Sequence, residues 1–342
     1  ATTGIANGDL VTCAANLPRV EPSGGVLGLR VEGARTFSLL RFIDYTNALW
    51  ADVGTPTPTT GQTSPWTGAL STAAVLYDDN DAAAQEGRSQ TVTVTAAVAH
   101  TMHCYVKAGT LTSAAISLDG TVATITGLVT TSWSIVEVTD ASSSGVAISA
   151  QILNGSTAAG TGTVIWGGCA VEAGSYRTSI MPTVASAVTR NAEVPYLTLP
   201  VTAVPGSVAA SNQVPYPSGA SVGSNRRVVR VDSGGSDADR FELFWPSGAA
   251  MQTFVSVASS SQGVTSGAVA LPSASPLRFA GWRIPSTTQA VVASGVETTA
   301  GTALGALPAL DRVYLGIYVA GGFENDGIIT RVCVDPDPTR CR

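Results

Sequence analysis

Lysine is nearly absent from this chain: Lys107 is the only one in 342 residues, and charged residues together make up 12%, about half the share of an ordinary soluble protein. With a net charge of −6 and no Arg/Lys stripe, the chain lacks the electrostatic footprint of a nucleic-acid-binding protein. Histidine is scarce too. His100 and His103 are the only two, and on a strand they fall on opposite faces, so a shared metal ion is not expected. The five cysteines include no CxxC pair, which removes the zinc-binding spacings. No run of ~18 apolar residues accompanies the positive mean hydropathy, so membrane insertion is not expected. No Gly-x-Ser-x-Gly elbow comes with a matching His and acid, and the serine-hydrolase signature is missing. Amphipathic helix periodicity is also missing; candidates such as 82–86 give one turn at most. The opening Ala1-Thr-Thr-Gly carries no signal-peptide pattern, and whether a leader or upstream region precedes it is left open by the sequence.

What is present is Thr, Ser, Ala, Gly and Val in alternation. Residues Gln90-Thr-Val-Thr-Val-Thr-Ala-Ala-Val98 alternate strictly, with β-branched residues throughout. Similar runs recur at 73–77, 102–107, 114–118, 122–126, 133–138, 146–153 and 163–172. Turn dipeptides Asp119-Gly120 and Asn154-Gly155 fall between them. Roughly eight short strands without a helix indicate an antiparallel sandwich or jelly roll. A second series follows at 227–232, 240–245, 252–257, 277–284, 289–293, 313–319 and 327–334.

The expected fold is therefore all-β, with two tandem antiparallel β-sandwich, jelly-roll-like domains and an extended N-terminal arm. The boundaries read as an arm over 1–26, a first domain over 27–188, a linker over 189–195 and a second domain over 196–342. Arg30-Val-Glu-Gly-Ala-Arg-Thr36 and Val171-Glu-Ala-Gly-Ser-Tyr-Arg-Thr-Ser-Ile-Met-Pro-Thr183, at the two ends of the first domain, carry five of its few charges. If its first and last strands pair, Glu32 or Glu172 meets Arg35 or Arg177 and latches the edges.

These residues carry a resemblance. Arg19-Val-Glu21, Leu29-Arg-Val-Glu-Gly-Ala-Arg-Thr36, Tyr105-Val-Lys-Ala-Gly109, the run from Trp166 to Thr183 and Thr189-Arg-Asn-Ala-Glu-Val194 are similar to a layout of bacteriophage and prophage tail-fibre-like virion proteins. It spans about residues 17–200. In that family the motifs enclose a carbohydrate-binding-module-like jelly roll, often followed by a concanavalin A- or laminin G-like sandwich, which residues 196–335 fit in outline. Phe37 and Arg177 depart from the family's Asn and Pro. The resemblance implies a non-enzymatic tail fibre, spike or decoration element at the virion surface. Its partners would be copies of itself, as a homotrimer, other virion proteins and host cell-surface polysaccharide. A secreted bacterial carbohydrate-binding protein is the alternative, and a polysaccharide depolymerase the third reading. For the last, Glu137, Asp140, Asp232 and Glu242 are the carboxylates available, with nothing in their spacing to pair them.

Sugar platforms require exposed aromatic faces. Trp50 and Trp66 border loops and are the candidates; Trp133 and Trp166 lie in alternating runs and read as core. No cofactor is expected beyond a structural calcium ion. Its candidate ligands are Asp78, Asp79 and Asp81, an oxygen-rich run that lacks the glycine of a calcium loop because Ala83 stands there. A solvated acidic turn is the competing reading. Cys333 and Cys341 flank a stiff Pro-containing turn and are the candidate disulfide, with the compartment left open. Cys104 and Cys169 read as small buried hydrophobes.

Overall fold

The computed structural model describes residues 34–65, 75–157 and 160–191 continuously. It also describes strands at 19–23, 26–31 and 70–71 and the strands of the C-terminal half given below. In chain order the first sixteen strands are β1 (Arg19–Ser23), β2 (Val26–Val31), β3 (Arg35–Phe37), β4 (Ala51–Val53), β5 (Thr57–Thr59), β6 (Gln62–Thr63), β7 (Leu70–Ser71), β8 (Val75–Asp79), β9 (Gly87–Thr93), β10 (His100–Ala108), β11 (Ser113–Leu118), β12 (Thr121–Thr126), β13 (Ser134–Asp140), β14 (Ala147–Asn154), β15 (Gly162–Ala173) and β16 (Val188–Arg190). The remainder are β17 (Tyr196–Ala203), β18 (Ser207–Gln213), β19 (Arg226–Asp232), β20 (Arg240–Trp245), β21 (Ala250–Val257), β22 (Ser260–Ala270), β23 (Leu277–Arg283), β24 (Gln289–Ala293), β25 (Val296–Ala300), β26 (Leu310–Leu315) and β27 (Gly327–Asp335). Among the described residues there is no helix, so none is long and apolar enough to cross a membrane.

The chain is all-β and divides into two compact units. Unit 1 is Arg35–Arg190. One of its sheets runs β13-β10-β15-β3-β16, with β8 and β5 branching from β15; the other runs β12-β11-β14-β9-β4. Every pairing is antiparallel. Unit 2 has sheets β1-β2-β27-β18-β23-β24-β25 and β17-β26-β19-β20-β21-β22. Of the expected N-terminal arm, residues 1–18 lie outside the described residues, while the boundary at 26/27 is corrected. Residues 19–31 form an antiparallel hairpin, and β2 pairs with β27, so the hairpin belongs to unit 2. Its partner lies some three hundred positions along the chain, a distance at which local pattern carries no information.

Period-2 alternation sets the core of unit 1. Met102, Cys104, Val106 and Ala108 of β10, Val164, Trp166 and Val171 of β15, and Ile148, Ala150 and Ile152 of β14 are buried together between the two sheets. At the centre Tyr45 meets Trp50 edge-on, with ring centroids 5.0 Å apart, and Tyr77 at 6.5 Å. Polar groups drawn into this core are matched. Asn154 Nδ2 donates to Tyr77 O (2.9 Å), and Trp166 Nε1 donates to Asn154 Oδ1 (3.2 Å). Gln90 holds both backbone groups of Leu40, at 2.8 and 2.9 Å.

The β10–β15 register slips between Cys104 and Val106. Gly167 and Gly168 together oppose Tyr105 there, a β-bulge in which the extra residue re-phases the strand. The slip lets Trp166 and Cys169, three positions apart, both face inward. It also brings Cys169 opposite Cys104, and the two form a disulfide across 65 positions. The reading of these cysteines as separate buried thiols is corrected: they are buried, and bonded.

Candidate functional site

The outer face of the β13-β10-β15 sheet collects the chemistry of unit 1. Antiparallel register places Glu137, His103 and Ala170 in one row across it, and Thr139, Thr101 and Glu172 in the next. Lys107 stands opposite Ile165, and Trp133 lies immediately before β13, beside Lys107. One end of this face is covered, and at the other Trp133 is partly exposed among the described residues.

The covered end is the latch. Phe37, Phe42, Ala170 and Ile180 pack there, with Ile43, Tyr105 and Met181 against them. Beneath them Glu172 is fully buried. Its Oε1 accepts from Thr178 N (2.7 Å) and its Oε2 from Thr178 Oγ1 (2.5 Å). Arg35 Nε stands 3.7 Å away on β3, and His103 Nδ1 3.6 Å away on β10. Burial pushes the Glu172 carboxyl up to about 7, opposed by the Thr178 hydrogen bonds and by Arg35 and Arg190. Arg35 lies over the Tyr176 ring, 4.9 Å from its centroid, and also donates to the Tyr176 hydroxyl. β3 pairs with β15, Phe37 opposite Glu172, and with β16, Arg35 opposite Arg190 and Thr36 opposite Thr189, whose hydroxyls meet at 3.0 Å. Phe37 fills the space beneath the Arg190 guanidinium, 5.9 Å from its ring centroid.

Of the four predicted latch residues, Arg35 and Glu172 come together. Arg177 does not join them: it pairs with Glu137 at 3.0 Å in a more exposed position. Glu32 lies outside the described residues.

The other end holds Trp133, whose side chain is partly exposed among the described residues, with Lys107 Nζ 5.0 Å from its ring centroid and Pro65 packed against Gly167. A Cβ at Gly167 would come within 3.0 Å of Trp133 Cζ3 and 3.1 Å of Tyr105 Cβ. The bulge glycine therefore makes the room in which the indole lies on the sheet. Burial holds the Lys107 ammonium below the usual lysine pKa. The assignment of Trp133 to the core is corrected, because the register gives it the parity of Lys107 and Tyr105 and not that of Val106. Trp166 is in the core, as read.

Other predicted residues fall elsewhere. Trp50 is 1% exposed, its Nε1 donating to Arg41 O at 3.3 Å. It anchors a core that the loop around it encloses, so it offers no face to a sugar. Trp66 lies outside the described residues, as do Cys341 and the side chain of Cys333. In the acidic run, Asp79 accepts from the amides of Asp81 and Glu86, and Asp81 from that of Ala83. Glu86 accepts from Thr55 and Asn80. The run is closed by its own backbone, and among the described residues no group of three or more His, Cys, Asp or Glu could hold a metal ion. Asp78 and Asp79 thus end β8, and the Asp79 and Asp81 carboxylates cap the turn that follows it. His100 faces the interior, its Nδ1 2.8 Å from Val98 O, while His103 faces Glu172.

The carboxylates considered for glycoside hydrolysis separate as well. Glu137 meets Arg177 in unit 1. In unit 2, Asp232 and Glu242 are buried on Arg230 at 2.6 and 3.4 Å, and Arg240 stands 2.9 Å from Glu242. Cross-strand register makes this grid, with Arg230 opposite Glu242 and Asp232 opposite both Arg240 and Arg312. Glu137, Asp232 and Glu242 are held by arginines in this way, while Asp140 ends β13 opposite His100.

No protein-family model matches the chain, and no curated protein matches it. Among solved structures, domains LG4–5 of the mouse laminin α1 chain align over 75% of this chain and 87% of that one, at 9% identity and a TM-score of 0.29. The tandem CBM22-1–CBM22-2 domains of Paenibacillus barcinonensis Xyn10C align over 89% and 98%, at 9% identity and a TM-score of 0.30. At such values neither likeness assigns a family or a ligand to this chain.

Proposed function

We propose that this protein is a non-enzymatic glycan-binding and assembly element of a virion surface, a tail fibre, spike or decoration component, and that unit 1 holds a sugar ring on Trp133. The observation that carries this reading is the part-exposed indole over Gly167 with the Lys107 ammonium beside it. An aromatic face stacks on the apolar C–H face of a pyranose, and an adjacent ammonium donates to ring hydroxyls or to a uronic carboxylate. The end motifs shared with tail-fibre-like proteins enclose this unit, which supports the virion setting. Host-surface polysaccharide is the partner such a platform fits, alongside copies of the chain and other virion proteins.

A secreted lectin-like protein is the second reading. The Cys104–Cys169 disulfide favours it, since such bonds persist outside the reducing cytosol. A glycan array probed with the full chain, followed by calorimetry on the best ligand, tests the shared core of both readings. Trp133→Ala is expected to weaken binding at least about tenfold, on the scale of one good aromatic contact. Binding that survives both Trp133→Ala and Lys107→Ala, or no glycan binding at all, refutes the platform. Release of reducing ends from a polysaccharide refutes the non-enzymatic reading. Immunogold labelling of particles against recovery from culture medium separates virion from secreted protein.

A further inference from the structure

We infer that β12 is a self-pairing edge, through which two copies of this chain join their five-stranded sheets about a two-fold axis at Thr124. Among the described strands β12 is paired on one side only, with β11. Natural sheets blunt such edges with charge, proline or brevity. The other described edges of unit 1 follow that rule: β4 is three residues long and contains Asp52, β16 is three residues long and contains Arg190, β5 contains Pro58, and β13 carries Glu137 and Asp140. β12 is the exception. It reads Thr-Val-Ala-Thr-Ile-Thr, six residues without charge, proline or glycine, and Val122 on it is 58% exposed.

The geometry fixes which groups are available. Asp119 and Gly120 have φ of 50° and 84°, the signature of a type I′ turn, which closes Leu118 and Thr121 as a hydrogen-bonded pair. Along an antiparallel ladder such pairs alternate, so Ala123 and Ile125 direct their backbone groups to β11. Val122, Thr124 and Thr126 direct theirs outward. A second strand must place outward residues opposite outward residues, and the two-fold axis through Thr124 does this. Val122 then faces the second copy's Thr126, Thr124 faces itself, and Ala123 faces Ile125 on the core side. Every such pair is of neutral and mostly β-branched residues, the class that stabilises cross-strand contact.

A second copy is the occupant for two further reasons. The outward positions of β9, β11, β12 and β14 hold only Gly, Ser, Thr, Ala, Val, Gln and Leu, so the joined sheets bring no like charges together although each chain carries −6. The self-pairing is also isologous: one contact closes the β12 edge of both copies at once.

The test is sedimentation equilibrium of the full chain over a range of concentrations, with amide exchange recorded alongside. A dimer is expected, with exchange at Val122, Thr124 and Thr126 slowing as concentration rises, while Ala123 and Ile125 are slow throughout. Val122→Lys/Thr126→Lys sets like charges opposite each other twice, and Thr124→Pro removes an outward donor without touching the β11 ladder. Each is expected to raise the dimer dissociation constant at least about tenfold. Retained exchange protection of Ala123 and Ile125 shows that the hairpin still folds in each variant. A monomeric wild type, a trimer, a dimer that ignores both changes, or a β12 edge protected only by an unrelated protein's strand overturns the proposal.

Discussion

Replacing Glu172 by glutamine tests how the latch responds to pH. The carboxyl is fully buried and its folded-state pKa is raised from 4.5 to about 7, chiefly by burial. A raised carboxyl pKa means that the folded state holds its proton more tightly. The stabilisation is therefore complete below the unfolded value and lost as pH climbs through the folded one. That window is worth about 3 kcal/mol, most of it falling between about pH 5 and pH 8. The amide introduced by Glu172→Gln keeps an acceptor for Thr178 N and cannot ionise, so the variant should show a flat profile where the wild type declines. His103 also faces the site at 3.6 Å, and a Glu172→Gln/His103→Gln double variant separates its share. Glu86, whose pKa is lowered, loses its contribution only as pH falls below the ordinary carboxylate range, outside this window. Hydrogen exchange at the β15 amides, corrected for intrinsic rate at each pH, reads the opening of unit 1 within the full chain. Wild-type protection that rises or stays level from pH 5 to pH 8, or an equal decline in Glu172→Gln, would refute the reasoning.

Three further outcomes follow from the core of unit 1. Asn154→Ala leaves the buried Trp166 N–H and Tyr77 carbonyl without their partner and should cost about 2–4 kcal/mol, measured by urea denaturation. Cys104→Ala/Cys169→Ala opens a 65-residue loop and should cost about 4 kcal/mol by the chain-entropy relation; equal melting temperatures with and without reductant would contradict it. Gly87→Ala would set a Cβ 1.9 Å from Ile152 O, so the β9–β14 ladder must shift, at about 1–3 kcal/mol or a loss of soluble protein. Unchanged stability in that variant would show that the two strands are less tightly apposed than described.

Much of unit 1 is legible in the chain because its strands alternate cleanly. β10, β14 and β15 match runs read from period 2 to within one or two residues at each end, β9 shares only 90–93 with the run read at 90–98, whose remainder turns away from the sheet, and Asp119-Gly120 forms the hairpin turn its composition predicts. The readings that change do so for identifiable reasons. Trp50 ends a short turn, Asn47-Ala-Leu-Trp50, that carries no alternation, and only the fold of 38–50 over the sheet takes it inside. Cys104 and Cys169 meet because a glycine bulge re-phases β15, a detail of register that alternation does not contain. Trp133 shares the parity of Lys107, a fact that requires knowing which residue of β13 stands opposite which of β10. Asp79 and Asp81 look like ion ligands until the backbone amides that occupy them are placed.

Local pattern was enough to establish that the chain is all-β, that its charges are few, and which residues share a face of each strand. Period-2 alternation encodes those things within a few residues. Folding in three dimensions settled which face is inside, which strands are neighbours and which edges stay open. It put Glu172 under a hydrophobic cover, carried the N-terminal hairpin to β27 and left β12 without a partner on one side among the described strands. Those outcomes depend on pairings between residues far apart in the chain, where the energy of contact is fixed by register and burial and not by the residues on either side.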